Sequence, residues 1–129
     1  MRILFITLFI SSLIACNKHT VNKTQSLSRE LTTIQFSTSN KPYTAVEEVG
    51  GEQINSTTIK AKAKDTYLIE VKSDNDSLNF YIDGQSIQVQ IINDNPLIRK
   101  VMVMAQTEIE LSFSAHPESS IYDLKITKL

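Results

Sequence analysis

Three observations in the sequence predict an all-β fold, arranged as a small antiparallel sandwich or barrel. Apolar residues recur at every second position from residue 32 onward, which is the period of half-buried strands. Turn-forming residues separate these stripes at intervals of about ten residues. Thr, Ser, Ile and Val are abundant and only three glycines are present, a composition that favours strands over helices. We therefore expect a sandwich or barrel of about eight strands.

Each predicted strand is a short stripe of alternating apolar residues that ends where turn residues begin. Gly50 with Gly51 closes the second stripe, and Asp83 with Gly84 is a strong hairpin signal. An Asn-Asp-Asn-Pro run at residues 93–96 breaks the pattern again. In chain order the stripes are Ile34 and Phe36; Tyr43 to Val49; Ile59, Ala61 and Ala63; Tyr67, Ile69 and Val71; Leu78, Phe80 and Ile82; Ile87, Val89 and Ile91; Val101 and Val103; Ile109, Leu111 and Phe113; Tyr122, Leu124 and Ile126.

The first 15 residues do not belong to this pattern. Arg2 precedes an apolar run over residues 3–15, and polar residues follow from Asn17. The run is shorter than the roughly 20 apolar residues that a helix needs to cross a bilayer. Its length and its basic start instead predict a secretion signal that is removed.

The residues Leu13, Ile14, Ala15 and Cys16 resemble the cleavage motif of bacterial lipoprotein signal peptides. The resemblance implies cleavage after Ala15, lipidation of Cys16, and anchoring of the protein to a membrane through the acyl chains. In lipoproteins of enteric bacteria, an Asp directly after the cysteine favours retention in the inner membrane. Asn17 stands there instead, so the expected location is the outer membrane, facing the periplasm. Two alternatives stay open: a secretion signal cleaved elsewhere, and Cys16 as a buried free thiol.

Length and composition narrow the remaining possibilities. We expect a signal peptide at residues 1–15, a lipidated polar tether at residues 16–31, and a β-sandwich domain at residues 32–129. The formal net charge of -1 argues against a general nucleic-acid binder. Cys16 is the single cysteine, so neither disulfides nor cysteine–metal sites are expected.

A second resemblance covers residues 34–129. Residues 64–71, residues 108–111 and residues 122–126 look like the strand pattern of bacterial pre-peptidase C-terminal domains and of periplasmic lysozyme inhibitors of the I and g types. The resemblance implies a jelly-roll-like sandwich. In those inhibitors a loop with Ser and Tyr after the first strand enters the enzyme's cleft, and Ser39, Lys41 and Tyr43 match that pattern. An ordinary loop between strands is the alternative.

Residues suited to catalysis are few. The two histidines lie far apart in sequence, His19 in the expected tether and His116 in a predicted loop, and no nucleophile motif is present. The acidic loops around Asn75 and Asp94 suggest either calcium ligands or ordinary Asx turns. Alternation of Lys60, Lys62 and Lys64 is typical of a protected edge strand, and a site for an anionic glycan is the alternative.

We therefore expect a non-catalytic, membrane-anchored binding module of the cell envelope, without a cofactor, whose partner is a protein or a glycan. Inhibition of a lysozyme-type lytic enzyme is the sharper alternative. A hydrolytic enzyme is a third possibility, which would require His116 to lie beside a carboxylate and a serine.

Overall fold

The computed structural model describes residues 32–36 and 41–129, and every regular element within them is a β-strand. The all-β prediction is confirmed, with one strand more than the expected eight or so. No helix in these residues is long and apolar enough to span a membrane. The strands are β1 Thr32–Ile34, β2 Tyr43–Val49, β3 Asn55–Ala61, β4 Thr66–Ser73, β5 Leu78–Asp83, β6 Ile87–Ile92, β7 Asn95–Val103, β8 Thr107–Ala115 and β9 Ser120–Lys128.

The strands form two sheets that pack face to face. One sheet has the order β1-β3-β8-β5 and the other has the order β2-β9-β4-β7-β6. All pairings are antiparallel except the short parallel contact of β1 with β3. Most consecutive strands lie in opposite sheets, so within the described residues only β6 and β7 are neighbours both along the chain and in a sheet.

The core lies between the sheets and consists of most of the predicted apolar stripes, whereas Ala63, Val89 and Ile91 are exposed. Phe113 on β8 stacks on Phe80 of its own sheet, with ring centroids 5.0 Å apart. It also stacks on Tyr122 of the opposite sheet at 4.3 Å. Burial of each such side chain contributes about 1.5–3 kcal/mol before conformational entropy is subtracted. The fully enclosed members of the core are Val49, Ile59, Tyr67, Ile69, Val101, Ile109, Leu111, Phe113 and Ile126.

The predicted hairpin at Asp83 and Gly84 is wrong. β5 pairs with β8 and β6 pairs with β7, so this turn carries the chain from one sheet to the other. Gly84 is needed for a different reason, which is close packing. A Cβ atom there would lie 3.2 Å from the Ile87 Cδ1 atom and 3.3 Å from the Glu108 carbonyl oxygen.

A tight hairpin does occur at the predicted break after residue 92. Ile92 pairs with Asn95, and the two residues between them, Asn93 and Asp94, have φ angles of 53° and 56°. Positive φ at both central positions defines a type I′ turn, whose twist matches that of the two strands. Asn and Asp tolerate this conformation better than most residues.

The strand that carries Lys60 is not an edge strand, although the alternation of Lys60, Lys62 and Lys64 predicts one. β3 lies between β1 and β8, and it ends at Ala61, before the predicted Ala63. Lys62 starts a turn in which its backbone N–H donates to the Asp65 carboxylate at 2.9 Å. Lys64 continues the turn with a φ of 72°. The edge prediction is wrong because strand pairing depends on residues far apart in the chain. The strand is also shorter than the alternation of Lys and Ala, because Asp65 holds the turn that follows Ala61.

Candidate functional site

The connections between strands collect at the two ends of the sandwich. One of them, the basic end, contains residues 41–42, 62–65, 84–86, 104–106 and 128–129. Lys64 N–H donates to the Val103 carbonyl at 2.9 Å, which joins the turn after β3 to the end of β7. Leu129 N–H donates to the Thr66 carbonyl at 2.8 Å. The pairing of Tyr43 with Ile126 places the start of β2 at the same end.

Lysines dominate the charge of the basic end. The side chains of Lys41, Lys62 and Lys64 are exposed. Lys128 lies 3.1 Å from the carboxylate of Asp65, and Asp83, exposed at the last position of β5, is a second carboxylate at this end. The described part of this end therefore presents an excess of positive charge to solvent.

Asp65 braces the turn that carries Lys62 and Lys64. Burial alone would raise the pKa of this carboxyl group. Hydrogen bonds from the Lys62 backbone and the Tyr67 hydroxyl, together with the Lys128 charge, outweigh burial and lower the pKa below its usual value. The carboxylate is thus held ionised, which fixes the shape of the turn.

Phe36, which follows β1, and Tyr67 on β4 form an aromatic pair close to Asp65. Phe36 packs against Tyr67, with ring centroids 5.4 Å apart. The Tyr67 hydroxyl donates to Asp65 at 2.8 Å, and burial together with this carboxylate raises its pKa. These contacts connect Phe36, through Tyr67 and Asp65, to the turn that carries Lys62 and Lys64.

Tyr43 is the first residue of β2 and is half-buried on the inner side of its sheet. Burial raises the pKa of its phenol, and the negative charge of Glu47 raises it further. Glu47 lies four residues further along β2, on the same face, and accepts a hydrogen bond from the Tyr122 hydroxyl at 2.9 Å. Asn55 donates to the Tyr122 hydroxyl at 3.2 Å. This network fixes the strand on which Tyr43 is presented.

The opposite end of the sandwich, the acidic end, contains residues 50–54, 74–77, 93–94 and 116–119. It carries no lysine or arginine in these connections. Its exposed charged residues are Glu52, Asp74, Asp76, Asp94 and Glu118. Within the residues that the structure describes, the connections at the two ends of the sandwich therefore carry net charges of opposite sign.

Asx turns account for the oxygen-rich loops of the acidic end. The Asn75 Oδ1 atom accepts from the Ser77 N–H at 2.9 Å and from the Ser120 hydroxyl at 2.6 Å, and its amide donates to the Ser119 carbonyl at 2.7 Å. Asn95 makes the same kind of turn with Leu97 at 3.0 Å. In residues 32–36 and 41–129 no three side chains of His, Cys, Asp or Glu form a metal-binding group.

His116 also lies at the acidic end, in the exposed connection between β8 and β9. Its backbone N–H donates to the Ser77 carbonyl at 3.1 Å. Within the described residues its imidazole makes no hydrogen bond or ion pair.

A depression of about 420 Å³ lies on the outer face of β2, β9 and β4. Its charged side chains offset one another: Lys125 lies 3.8 Å from Glu70, and Lys72 stands opposite Asp123. The depression therefore has no net charge, and we regard the basic end as the stronger candidate site.

The residues predicted to bind a partner are only partly described. Lys41 is exposed just before β2, and Tyr43 begins that strand. Ser39, Ala15 and Cys16 lie outside the described residues, so their predicted roles stay predictions. Sequence reasoning missed that Lys62, Lys64 and Lys128 lie at the same end of the sandwich as Lys41. Asp65, a residue type that favours turns, is the sequence signal that places Lys62 and Lys64 in a turn after β3.

The fold is similar to that of two solved lysozyme inhibitors. PliG from Aeromonas hydrophila, a periplasmic lysozyme inhibitor of g-type lysozyme, aligns with a TM-score of 0.58 and 16% sequence identity, over 77% of this chain and 97% of that protein. A mutant of PliG-Ec from Escherichia coli, of the same description, aligns with a TM-score of 0.54 and 14% identity, over 76% and 96%. No protein-family model matches the sequence, and no curated protein matches it. The likeness is one of fold.

Proposed function

We propose that the protein binds and inhibits a lysozyme-type lytic enzyme in the periplasm, through its basic end. The sequence is consistent with two functions, a binding module of unknown ligand and an inhibitor of a lytic enzyme. The fold shared with two periplasmic inhibitors of g-type lysozyme supports the second.

The observation that carries this proposal is that several exposed lysines lie at the same end of the sandwich as Tyr43. Enzymes that cleave glycosidic bonds use paired carboxyl groups flanking the scissile bond, so their clefts carry negative charge. Lys41, Lys62 and Lys64 complement such a cleft, and complementary charge speeds encounter and selects the partner. Tyr43 adds a rigid aromatic side chain of the kind that contributes strongly at interfaces.

Inhibition can be measured directly. The purified protein is added to lysozymes of the c, g and i types, and lysis of peptidoglycan is followed. We expect inhibition of the g type at concentrations of about 1 µM or below, a range typical of specific protein complexes. Unchanged activity of all three enzymes at micromolar concentrations would refute the proposal.

The role of Tyr43, which packs against the core, is tested beside Tyr81, which is 61% exposed on the outer side of β5; circular dichroism checks that both alanine variants fold. We expect Tyr43→Ala to weaken inhibition about 30-fold or more, as loss of an interface hot spot does. Tyr81→Ala should inhibit as the unmodified protein does. Equal inhibition by both variants would remove Tyr43 from the interface.

We also propose that the protein is anchored to the outer membrane through lipidated Cys16, after cleavage at Ala15. Each buried CH₂ group contributes about 0.8 kcal/mol, so one acyl chain holds weakly and two or more hold stably. Anchoring on the periplasmic side would place the inhibitor where a lytic enzyme meets the cell wall.

Metabolic labelling tests the anchor. Cells supplied with an alkyne fatty acid should yield labelled wild-type protein and unlabelled Cys16→Ser protein. Equal labelling of the two proteins, or a mature protein that keeps Met1, would contradict the proposed anchor without affecting the proposed inhibition.

A further inference from the structure

β6 is an edge strand whose sequence reads the same in both directions. Residues 87–91 are Ile-Gln-Val-Gln-Ile, with Val89 at the centre. Among the strands that the structure describes it is the last in its sheet, and its one described partner is β7. It contains no charged residue and no proline, the features that normally protect an edge from pairing with another chain.

The backbone groups of Ile87, Val89 and Ile91 point away from β7 and toward the open edge. Met104 N–H donates to the Ser86 carbonyl at 2.8 Å, which makes these two residues a hydrogen-bonded pair of the antiparallel ladder. Hydrogen-bonded pairs recur at every second residue. The backbone N–H and C=O groups of Gln88 and Gln90 therefore point toward β7, where Gln88 pairs with Met102 and Gln90 pairs with Lys100.

The bonds on the other side of β7 agree with this assignment. Val103 N–H donates to the Asp65 carbonyl at 2.9 Å, so the odd-numbered residues of β7 bond to β4. Its even-numbered residues, among them Lys100 and Met102, then face β6. The open edge consequently presents the N–H and C=O groups of the three apolar residues of β6.

The side chains of the same residues are incompletely covered. Ile87 packs against the core, whereas Val89 is 42% and Ile91 53% exposed, although both lie on the inner side of the sheet. The four-stranded sheet does not extend far enough to cover them. An apolar stripe thus accompanies a row of free hydrogen-bonding groups on one edge.

The other described edges lack this combination. β1 has three residues, β2 carries Glu47 and Glu48, and β5 ends in Asp83. None of their sequences is symmetric about a central residue.

We propose that β6 pairs with β6 of a second copy of this chain, antiparallel, about a two-fold axis at Val89. The symmetry of the sequence identifies the occupant: Ile87 meets Ile91 of the second copy, Val89 meets Val89, and Gln88 meets Gln90. In these pairings, residues whose backbone groups point toward the open edge meet each other. Ile87 with Ile91 and Val89 with Val89 therefore form hydrogen-bonded pairs. Apolar side chains then adjoin apolar side chains on the inner face, and glutamines adjoin glutamines on the outer face.

Such a contact closes on itself, because a two-fold interface uses the same edge of both copies and leaves none for a third. It is also small. A strand of five or six residues buries less than the standard interface of about 800 Å² per partner, so the dimer is expected to be weak and dependent on concentration.

The oligomeric state tests the proposal. The full chain, purified in mild detergent, is examined by light scattering from about 1 µM to about 500 µM, a range that covers weak association. We expect the dimer fraction to rise across this range. Val89→Lys places two ammonium groups at the axis and should keep the protein monomeric, whereas Val46→Lys, the same change on the exposed face of the other edge strand β2, should leave dimerisation unchanged.

A pair of charge variants tests the register. Gln88→Lys with Gln90→Glu sets a lysine opposite a glutamate twice across the axis, and should tighten the dimer about 3- to 10-fold. Gln88→Lys with Gln90→Lys sets like charges together and should weaken it at least about 10-fold. Both side chains are exposed, and circular dichroism checks that both variants fold.

A monomer at every concentration would overturn the proposal and leave the edge free for a strand of a different protein. So would a dimer that Val46→Lys abolishes and Val89→Lys does not, since the contact would then lie on β2. Equal affinity of the two glutamine variants would exclude the two-fold register.

Discussion

Asn75 is the residue that ties the two turns of the acidic end together. Its side chain bonds to Ser77 in its own turn and to Ser119 and Ser120 in the connection before β9. Ser120 is fully buried, so without Asn75 its hydroxyl would lose a partner where water cannot replace it. An unsatisfied buried group of this kind costs about 1–3 kcal/mol.

We therefore expect Asn75→Ala to lower the free energy of unfolding by about 2–3 kcal/mol. Asn79→Ala, at an exposed position of β5, serves as the control and should change it by less than about 0.5 kcal/mol. Urea unfolding followed by circular dichroism measures both. Equal stability of the two variants would show that the Asn75 contacts contribute little.

Asp65 makes stability depend on pH at the basic end. Its pKa in the folded protein is lower than its usual value of 3.8, so the ionised carboxylate stabilises the fold at every pH above that value. This contribution is lost as the pH falls through the lowered pKa, because protonation then removes the pairing with Lys128.

Asp65→Asn should accordingly be less stable than the unmodified protein at neutral pH, by about 1–2 kcal/mol. The difference should shrink as the pH is lowered from about 7 toward about 2, because the carboxyl group of the unmodified protein takes up a proton as the pH falls through its lowered pKa. Urea unfolding midpoints at the two pH values give the result. A difference that is the same at both would mean that charge is not the cause.

At the scale of elements, alternation in the sequence identified the strands but not their partners. The stripe around Ile109 and the stripe around Tyr122 became β8 and β9, with their apolar residues inward as expected. Pairing is a property of residues far apart in the chain, and sequence alternation carries no information about it. For that reason Asp83 with Gly84 was mistaken for a hairpin, and Lys60 was placed on an edge.

The type I′ turn at Asn93 and Asp94 is an element whose chemistry can be tested. Asp94 has a φ of 56°, a conformation that a β-branched residue adopts only with strain. We expect Asp94→Val to lower the free energy of unfolding by about 1–3 kcal/mol, and Asp94→Gly to leave it unchanged or raise it. Thermal unfolding distinguishes them, and an equal effect of both substitutions would contradict the turn assignment.

At the scale of the whole molecule, the separation of charge is the feature that the sequence did not predict. Lys41 and Tyr43 were predicted as binding residues from their own loop. Lys62 and Lys128 join them only because β3, β4 and β9 bring their connections to one end, and the carboxylates of the acidic end are grouped in the same way. Composition reports the sum of the charges, whereas the topology decides where each one lies.

The central claim, that the basic end binds a lytic enzyme, is tested most directly by reversing one charge at that end and one elsewhere. Lys62 and Lys72 are both exposed, the first in the turn after β3 and the second on the outer face of β4. The measurement is the dissociation constant for g-type lysozyme at low ionic strength, where exposed charges are least screened. We predict that Lys62→Glu weakens binding at least about 10-fold and Lys72→Glu by less than about twofold. Equal affinity of the two variants, or no binding by the unmodified protein, would contradict the claim.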